Sequence, residues 1–552
     1  SSKDSRCCYI MKALIFLNIL FFVNVHGALQ RVDPLVLIKQ GLVKGLKATD
    51  GDYSKFLGIP YAKVELNDPF GAAQPAPEFE DEIFNAYDNS RICPQTRFDD
   101  IGGSTDTAIE SPDCLQLNLY VPYKASTHNP LPVLVWIHGG GFSRGSASEY
   151  EAPSLVKQGI IVVTVNYRVG AYGFMCLDNP AVPGNQGLKD QYAALRWVRD
   201  NIAAFGGNPY NVTLSGQNSG SGAVLLQLYS SKEKLFNKVI AQSGTPLSPD
   251  MFVTGDPDVA VKLASYLGLN TTDDQQALEF LAQTHHSLIT AASYDLKIDF
   301  KPCKEKSFSG VDNFVDSEPY ALSNEKKIRK TPILIGNTNE EYKGDSITKI
   351  YGDDFFDKDF FYTNLEKTFN LDKDQLKTVA EIIRHYYIGD KAISEDIKAE
   401  AAYFLSDFVF NHPIQNTITS LIRENASPVY EYVFSYVGDS DADGAIHSTE
   451  LEYLFNMSNM AWRSDSDELM VDRLTTLWTN FIKFGNPTPE TSDLIPVKWT
   501  PVSATTRPYL DIGSELLVRD RFLKERNSFW DLFYSVYGKY SNLARQCDLD
   551  YH

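Results

Sequence analysis

The chain has 552 residues, of which 43% are hydrophobic and 12% aromatic, and a formal net charge of −20 at pH 7. That apolar content supplies a large core, and with no low-complexity tract or internal repeat the expectation is one large domain. The negative balance repels phosphate backbones and anionic lipid, which argues against nucleic-acid binding and electrostatic membrane docking.

Met11 opens a short basic start, Lys12, followed by the apolar run Ala13 to Val23 and then Val25-His26-Gly27, small residues at cleavage spacing. This reads as a secretory signal peptide over residues 11–27, with residues 1–10 (including Cys7 and Cys8) upstream of the native start and residues 28–552 forming a single mature domain. No later run reaches the roughly 18 apolar residues of a bilayer span, and the polar end Arg545-Gln546-Cys547-Asp548-Leu549-Asp550 is no lipid-anchor signal. The expectation is a secreted, extracellular protein with no membrane anchor. Downstream of Met11 stand Cys93, Cys114, Cys176, Cys303 and Cys547. An odd count in an oxidising compartment leaves at least one thiol over, and Cys547 near the end is the candidate for pairing with a second chain.

Leu35 to Gly45 alternates loosely between glycines, suggesting a hairpin. Short, β-branched apolar runs follow at Val133–Ile137, Ile160–Val165, Val212–Leu214, Ile333–Ile335 and Val429–Phe434, the pattern of strands covered on both faces. Helical spacing lies between them, as in Leu188 to Ala204 with Tyr192, Leu195 and Val198. Alternating strands and helices predict an α/β fold with a mostly parallel central sheet flanked by helices on both faces. Chemistry in such sheets gathers at the carboxyl ends of the strands.

After the run ending at Ile137 comes His138-Gly139-Gly140-Gly141-Phe142, glycines that let backbone N–H groups crowd around a small anion or a developing oxyanion. The stretch Val212-Thr213-Leu214-Ser215-Gly216-Gln217-Asn218-Ser219-Gly220 reads as strand, sharp turn and helix, the layout of a nucleophile elbow. With Phe56-Leu57-Gly58-Ile59-Pro60-Tyr61-Ala62, Gly184-Asn185-Gln186-Gly187-Leu188-Lys189-Asp190-Gln191, Ala241-Gln242-Ser243-Gly244 and Trp478-Thr479-Asn480-Phe481, it makes the chain resemble the carboxylesterase–cholinesterase family from about residue 32 to 535.

The resemblance implies an α/β-hydrolase fold and no cofactor or metal. It places the oxyanion hole at Gly140, Gly141 and Ser219, the triad base at His447 in Gly444-Ala445-Ile446-His447-Ser448, and the acid at Glu341, with Glu340 open because Tyr342 replaces the family's following glycine. It also implies a disulfide between Cys93 and Cys114. The family elbow is Gly-Glu-Ser-Ala-Gly; here Gln217, Asn218 and Ser219 stand at its three central positions. A carboxamide nitrogen is delocalised into its carbonyl and does not attack esters, so the catalytic serine is lost at Asn218.

Sequons at Asn211, Asn270, Asn425 and Asn456 are glycan candidates, Asn270 and Asn456 ahead of Asn211, which leads straight into a strand. The expected function is an inactive carboxylesterase-like protein that binds a hydrophobic small molecule or an extracellular protein, with a dimer through Cys547 or C-terminal helices as a further expectation. Two alternatives stand beside it. One is an active ester hydrolase, through a variant residue or an aspartate formed at position 218; the other is a secretory or storage glycoprotein.

Overall fold

The computed structural model describes residues 34–96, 108–438, 444–457 and 464–544. The signal peptide expected over residues 11–27, Cys7, Cys8 and Cys547 lie outside the described residues.

The β-branched runs form the strands of an eleven-stranded sheet. In chain order these are β1 (Leu46–Lys47), β2 (Tyr53–Pro60), β3 (Gln116–Pro122), β4 (Leu131–Ile137), β5 (Ile161–Val165), β6 (Gly207–Gln217), β7 (Lys238–Gln242), β8 (Ile333–Thr338), β9 (Val429–Phe434), β10 (Pro508–Ile512) and β11 (Leu516–Asp520). Their spatial order is β11-β10-β9-β8-β7-β6-β4-β5-β3-β2-β1. The strands from β5 to β10 pair in parallel, while β3, β2, β1 and β11 are antiparallel additions at the two edges. Leu35–Ile38 and Gly41–Lys44 form the expected hairpin, in a separate small sheet.

Both faces of the parallel region are covered, so β5, β7, β8 and β9 are buried at every position. Period-two alternation assigns Val133, Val135 and Ile137 of β4 to one apolar layer and Leu134 and Trp136 to the other. The helix expected over 188–204 is α1 (Gln186–Asn201), which tightens into a 3₁₀ turn at Ile202–Phe205. Further along come α2 (Ser219–Tyr229), α3 (His412–Arg423), α4 (Asp465–Phe484) and α5 (Lys524–Tyr537). Helix α4 begins at a capping box, Ser464 and Asp467 exchanging bonds with each other's backbone.

Two features tie the fold together. Arg168 and Asp190 are both fully buried and pair through two bonds of 2.8 and 2.7 Å, and Arg168 Nη1 also donates to the carbonyls of Pro69 and Gly71. Cys93 is bonded to Cys114, and Cys176 is bonded to Cys303 across 127 residues. The second pairing was open in the sequence; the fold supplies it by bringing the Cα atoms to 6.7 Å.

Candidate active site

Strand β6 runs out at Gln217, helix α2 starts at Ser219, and Asn218 makes the turn between them at φ 55°, ψ −124°. Positive φ costs a non-glycine residue about 1–3 kcal/mol, and asparagine tolerates it better than most. Main-chain contacts hold the turn: Asn218 N–H donates to Gln242 O at 2.9 Å, and Gly222 N–H donates to Asn218 O at 3.1 Å. Glycine is required around it, since a Cβ on Gly244 would stand 2.1 Å from Asn218 O and one on Gly220 2.2 Å from Ile137 O.

The side chain of Asn218 bridges the two halves of the site. Gly141 N–H donates to Asn218 Oδ1 at 3.3 Å, in the loop that follows β4. A backbone N–H must meet an acceptor, so the amide oxygen faces Gly141 and Nδ2 faces His447 Nε2, 3.0 Å away. Gln217 Nε2 lies 3.0 Å from the same His447 atom and donates to Ser448 Oγ at 2.8 Å. Two amide N–H donors aimed at Nε2 require its lone pair there. The ring proton therefore sits on Nδ1, 2.5 Å from Glu341 Oε2.

Glu341 is buried behind the histidine, and its Oε1 accepts from Ser243 Oγ at 2.6 Å and from Thr338 N–H at 2.9 Å. Of the two candidate acids, it is Glu341 whose carboxylate reaches His447; Glu340 contributes its N–H to Ala445 O. Burial lowers the His447 pKa most, but the charge and hydrogen bond of Glu341 together with the charge of Glu450 outweigh it, and the net shift is upward. Glu450, on the same loop, is pushed up to about 7, mainly by burial and then by Glu341. Gln242 connects this carboxyl to the second core layer: its Nε2 donates to Glu450 at 3.0 Å, and its Oε1 accepts from Trp478 Nε1 of α4 at 3.1 Å.

Tyr342 leaves the acid loop usable because its ring turns away into an aromatic wall. Its N–H donates to Ser406 Oγ, and its ring packs 5.7 Å from Phe410, which lies 4.8 Å from the His447 ring. Ser219 and Ser221 are fully buried in the first turn of α2, where Ser221 Oγ donates to Gly244 O. Gly140 and Gly141 both take positive φ, 109° and 63°. The structure thus brings Gly141, Asn218, Glu341 and His447 into one connected chain of hydrogen bonds.

Sequence reasoning did not find Ser243, Phe410 or the reach of Gln217 to His447. Ser243 stood in a quoted motif, but its role is visible only once β7 lies beside β8. Among the sequons, Asn270 and Asn456 are exposed, while Asn211 is half-buried with its Oδ1 accepting from Lys238 Nζ and its Nδ2 donating to Lys483 O at 3.4 Å. Among the described residues no cluster of His, Cys, Asp and Glu is arranged to hold a metal ion. Nor is any described helix long and apolar enough to cross a membrane.

A mostly parallel sheet carrying an elbow, an acid and a histidine at the carboxyl ends of its strands defines the α/β-hydrolase class. The chain belongs to the carboxylesterase family, whose model matches residues 32–530. It is 31% identical over 546 residues to the juvenile hormone esterase of Heliothis virescens, covering 90% of this chain and 94% of that one. It is 29% identical to esterase FE4 of Myzus persicae, over 89% of this chain and 90% of the relative. Among solved structures it is similar to the juvenile hormone esterase of Manduca sexta with OTFP covalently attached, at a TM-score of 0.81 and 28% identity, covering 92% of this chain and all of that one.

Proposed function

We propose that this chain is a secreted member of the carboxylesterase family that does not turn over esters and acts outside the cell by binding a hydrophobic small molecule or a protein partner. The observation that carries the reading is the Asn218 carboxamide, which stands where the elbow presents its nucleophile and spans from Gly141 N–H to His447 Nε2. Its nitrogen has no free lone pair to attack a carbonyl, and it occupies the one His447 atom that would accept a nucleophile's proton. Loss of the nucleophile in a triad enzyme costs about a millionfold in turnover.

The paired cysteines and the hydrophobic leader at residues 11–27 support secretion. The ring wall of Tyr342 and Phe410 beside His447 favours an apolar ligand. The relatives named juvenile hormone esterase make an ester the first ligand class to try. A ligand carbonyl would meet Asn218 Oδ1 already at Gly141, so affinity would come from the apolar wall and not from the oxyanion loop.

The test is Asn218→Ser beside the parent, each treated with a fluorophosphonate probe and a nitrophenyl ester. The parent is expected to give neither label nor burst, and the variant both. Labelling of the parent that depends on residue 218 overturns the reading.

A further inference from the structure

The elbow does more to Asn218 than display it. In an L residue, rotation of ψ to near −120° swings the following nitrogen into line with Cβ across the Cα–C bond. Asn218 has ψ −124°, so the Ser219 nitrogen nearly eclipses its Cβ. In a helix, with ψ about −42°, that nitrogen is far from the eclipsed position. The eclipsed arrangement is the one a five-membered ring of Ser219 N and Asn218 C, Cα, Cβ and Cγ requires. Ser219 is also the first residue of α2, where a backbone N–H has no carbonyl partner within the helix.

The contacts of the carboxamide complete the arrangement. Gly141 N–H, 3.3 Å from Oδ1, is placed to polarise the Cγ carbonyl and to hold the charge that develops on its oxygen. His447 Nε2, 3.0 Å from Nδ2, stands beside the group that would leave. The parts that a triad enzyme directs at a substrate are here directed at the protein's own side chain.

We propose that Asn218 is a self-modification site: Ser219 N attacks Asn218 Cγ, and the chain converts its own asparagine to a succinimide and then to aspartate or isoaspartate. The Ser219 N–Cγ bond forms and the Cγ–Nδ2 bond breaks. The proton lost by Ser219 N–H balances the one gained by Nδ2, which departs as ammonia, with His447 once protonated as the group placed to deliver it. Water then opens the ring at either carbonyl, leaving a carboxylate at residue 218 or an isoaspartyl link to Ser219. No oxidant or reductant is involved, and the binding role proposed above is that of the unconverted chain, in which the Asn218 carboxamide is intact.

The sequence provides its own controls, because Asn89-Ser90 and Asn527-Ser528 carry the same dipeptide. Asn527 lies within α5, where helical ψ holds the following nitrogen away from Cβ. The full chain is incubated at neutral pH, native and in urea, and the three peptides are followed by mass spectrometry that separates aspartyl from isoaspartyl products. In the native protein Asn218 is expected to convert at least about tenfold faster than Asn527, a modest share of what one oxyanion donor can supply. In urea the three sites should converge. His447→Gln, with folding checked by circular dichroism, should slow conversion at 218 only. Equal native rates at 218 and 527, or conversion at 218 without any isoaspartate or succinimide, would overturn the proposal.

Discussion

Gln217 Nε2 lies 3.0 Å from His447 Nε2, so the residue before the elbow tip holds the ring nitrogen that a working base must keep open. In the resembled family a glutamate stands there, which has no N–H to offer. Asn218→Ser alone should therefore be a sluggish esterase, its new hydroxyl competing with Gln217 for one lone pair. Asn218→Ser with Gln217→Glu should exceed it by about tenfold to a hundredfold in kcat/KM on a nitrophenyl ester, the scale of one general-base contribution. Equal activity of the two variants would show that Gln217 yields without cost.

The buried carboxyls give a pH dependence of definite sign. Glu450 and Glu431 are each raised to about 7, both first by burial. An unfolded glutamate titrates at about 4.3, so the native state holds these protons more tightly. The stability they contribute is fully present below the unfolded value and is lost as pH rises through about 7. Urea midpoints should fall from about pH 5 to about pH 8, and Glu450→Gln should flatten the slope by an amount on the order of 2 kcal/mol across that window. A variant as pH-sensitive as the parent would remove Glu450 from the account.

Arg168 and Asp190 form a pair without solvent contact. Asp190→Ala leaves a buried guanidinium with only carbonyl partners and should cost about 3–5 kcal/mol in urea unfolding. A loss below about 1 kcal/mol would mean that water reaches the vacated space.

The two disulfides should differ in weight. The Cys176–Cys303 loop spans 127 residues and the Cys93–Cys114 loop 21. On the chain-entropy estimate, Cys176→Ala with Cys303→Ala loses about 4–5 kcal/mol, against about 3 for the shorter loop. A reversed order in denaturant midpoints would place the difference in native packing instead.

The parallel strands were legible in the sequence because burial on both faces leaves continuous β-branched runs, and Val429–Phe434 has the bounds expected of it. The motifs named Asn218, Glu341 and His447 as one site, and the fold brings their side chains into one line of hydrogen bonds. What stayed hidden depends on how distant strands are laid side by side. The 127-residue span between Cys176 and Cys303 carries no local sign of their pairing. Gln217 stood in the sequence only as a departure from the family elbow, since a sequence does not say which way a side chain at a strand end will point. Ser243 needed the register of β7 on β8 before its hydroxyl could be placed against Glu341.

The bend at the elbow is fastened by N–H and C=O groups and by neighbouring glycines, with no help needed from the side chain at its tip. Residue 218 is therefore an exchangeable cassette in a rigid frame, open to any substituent that accepts the left-handed backbone. A lineage could discard hydrolysis there without endangering its architecture, and an engineer could install serine, aspartate or cysteine at the same point and change the chemistry while the scaffold endures.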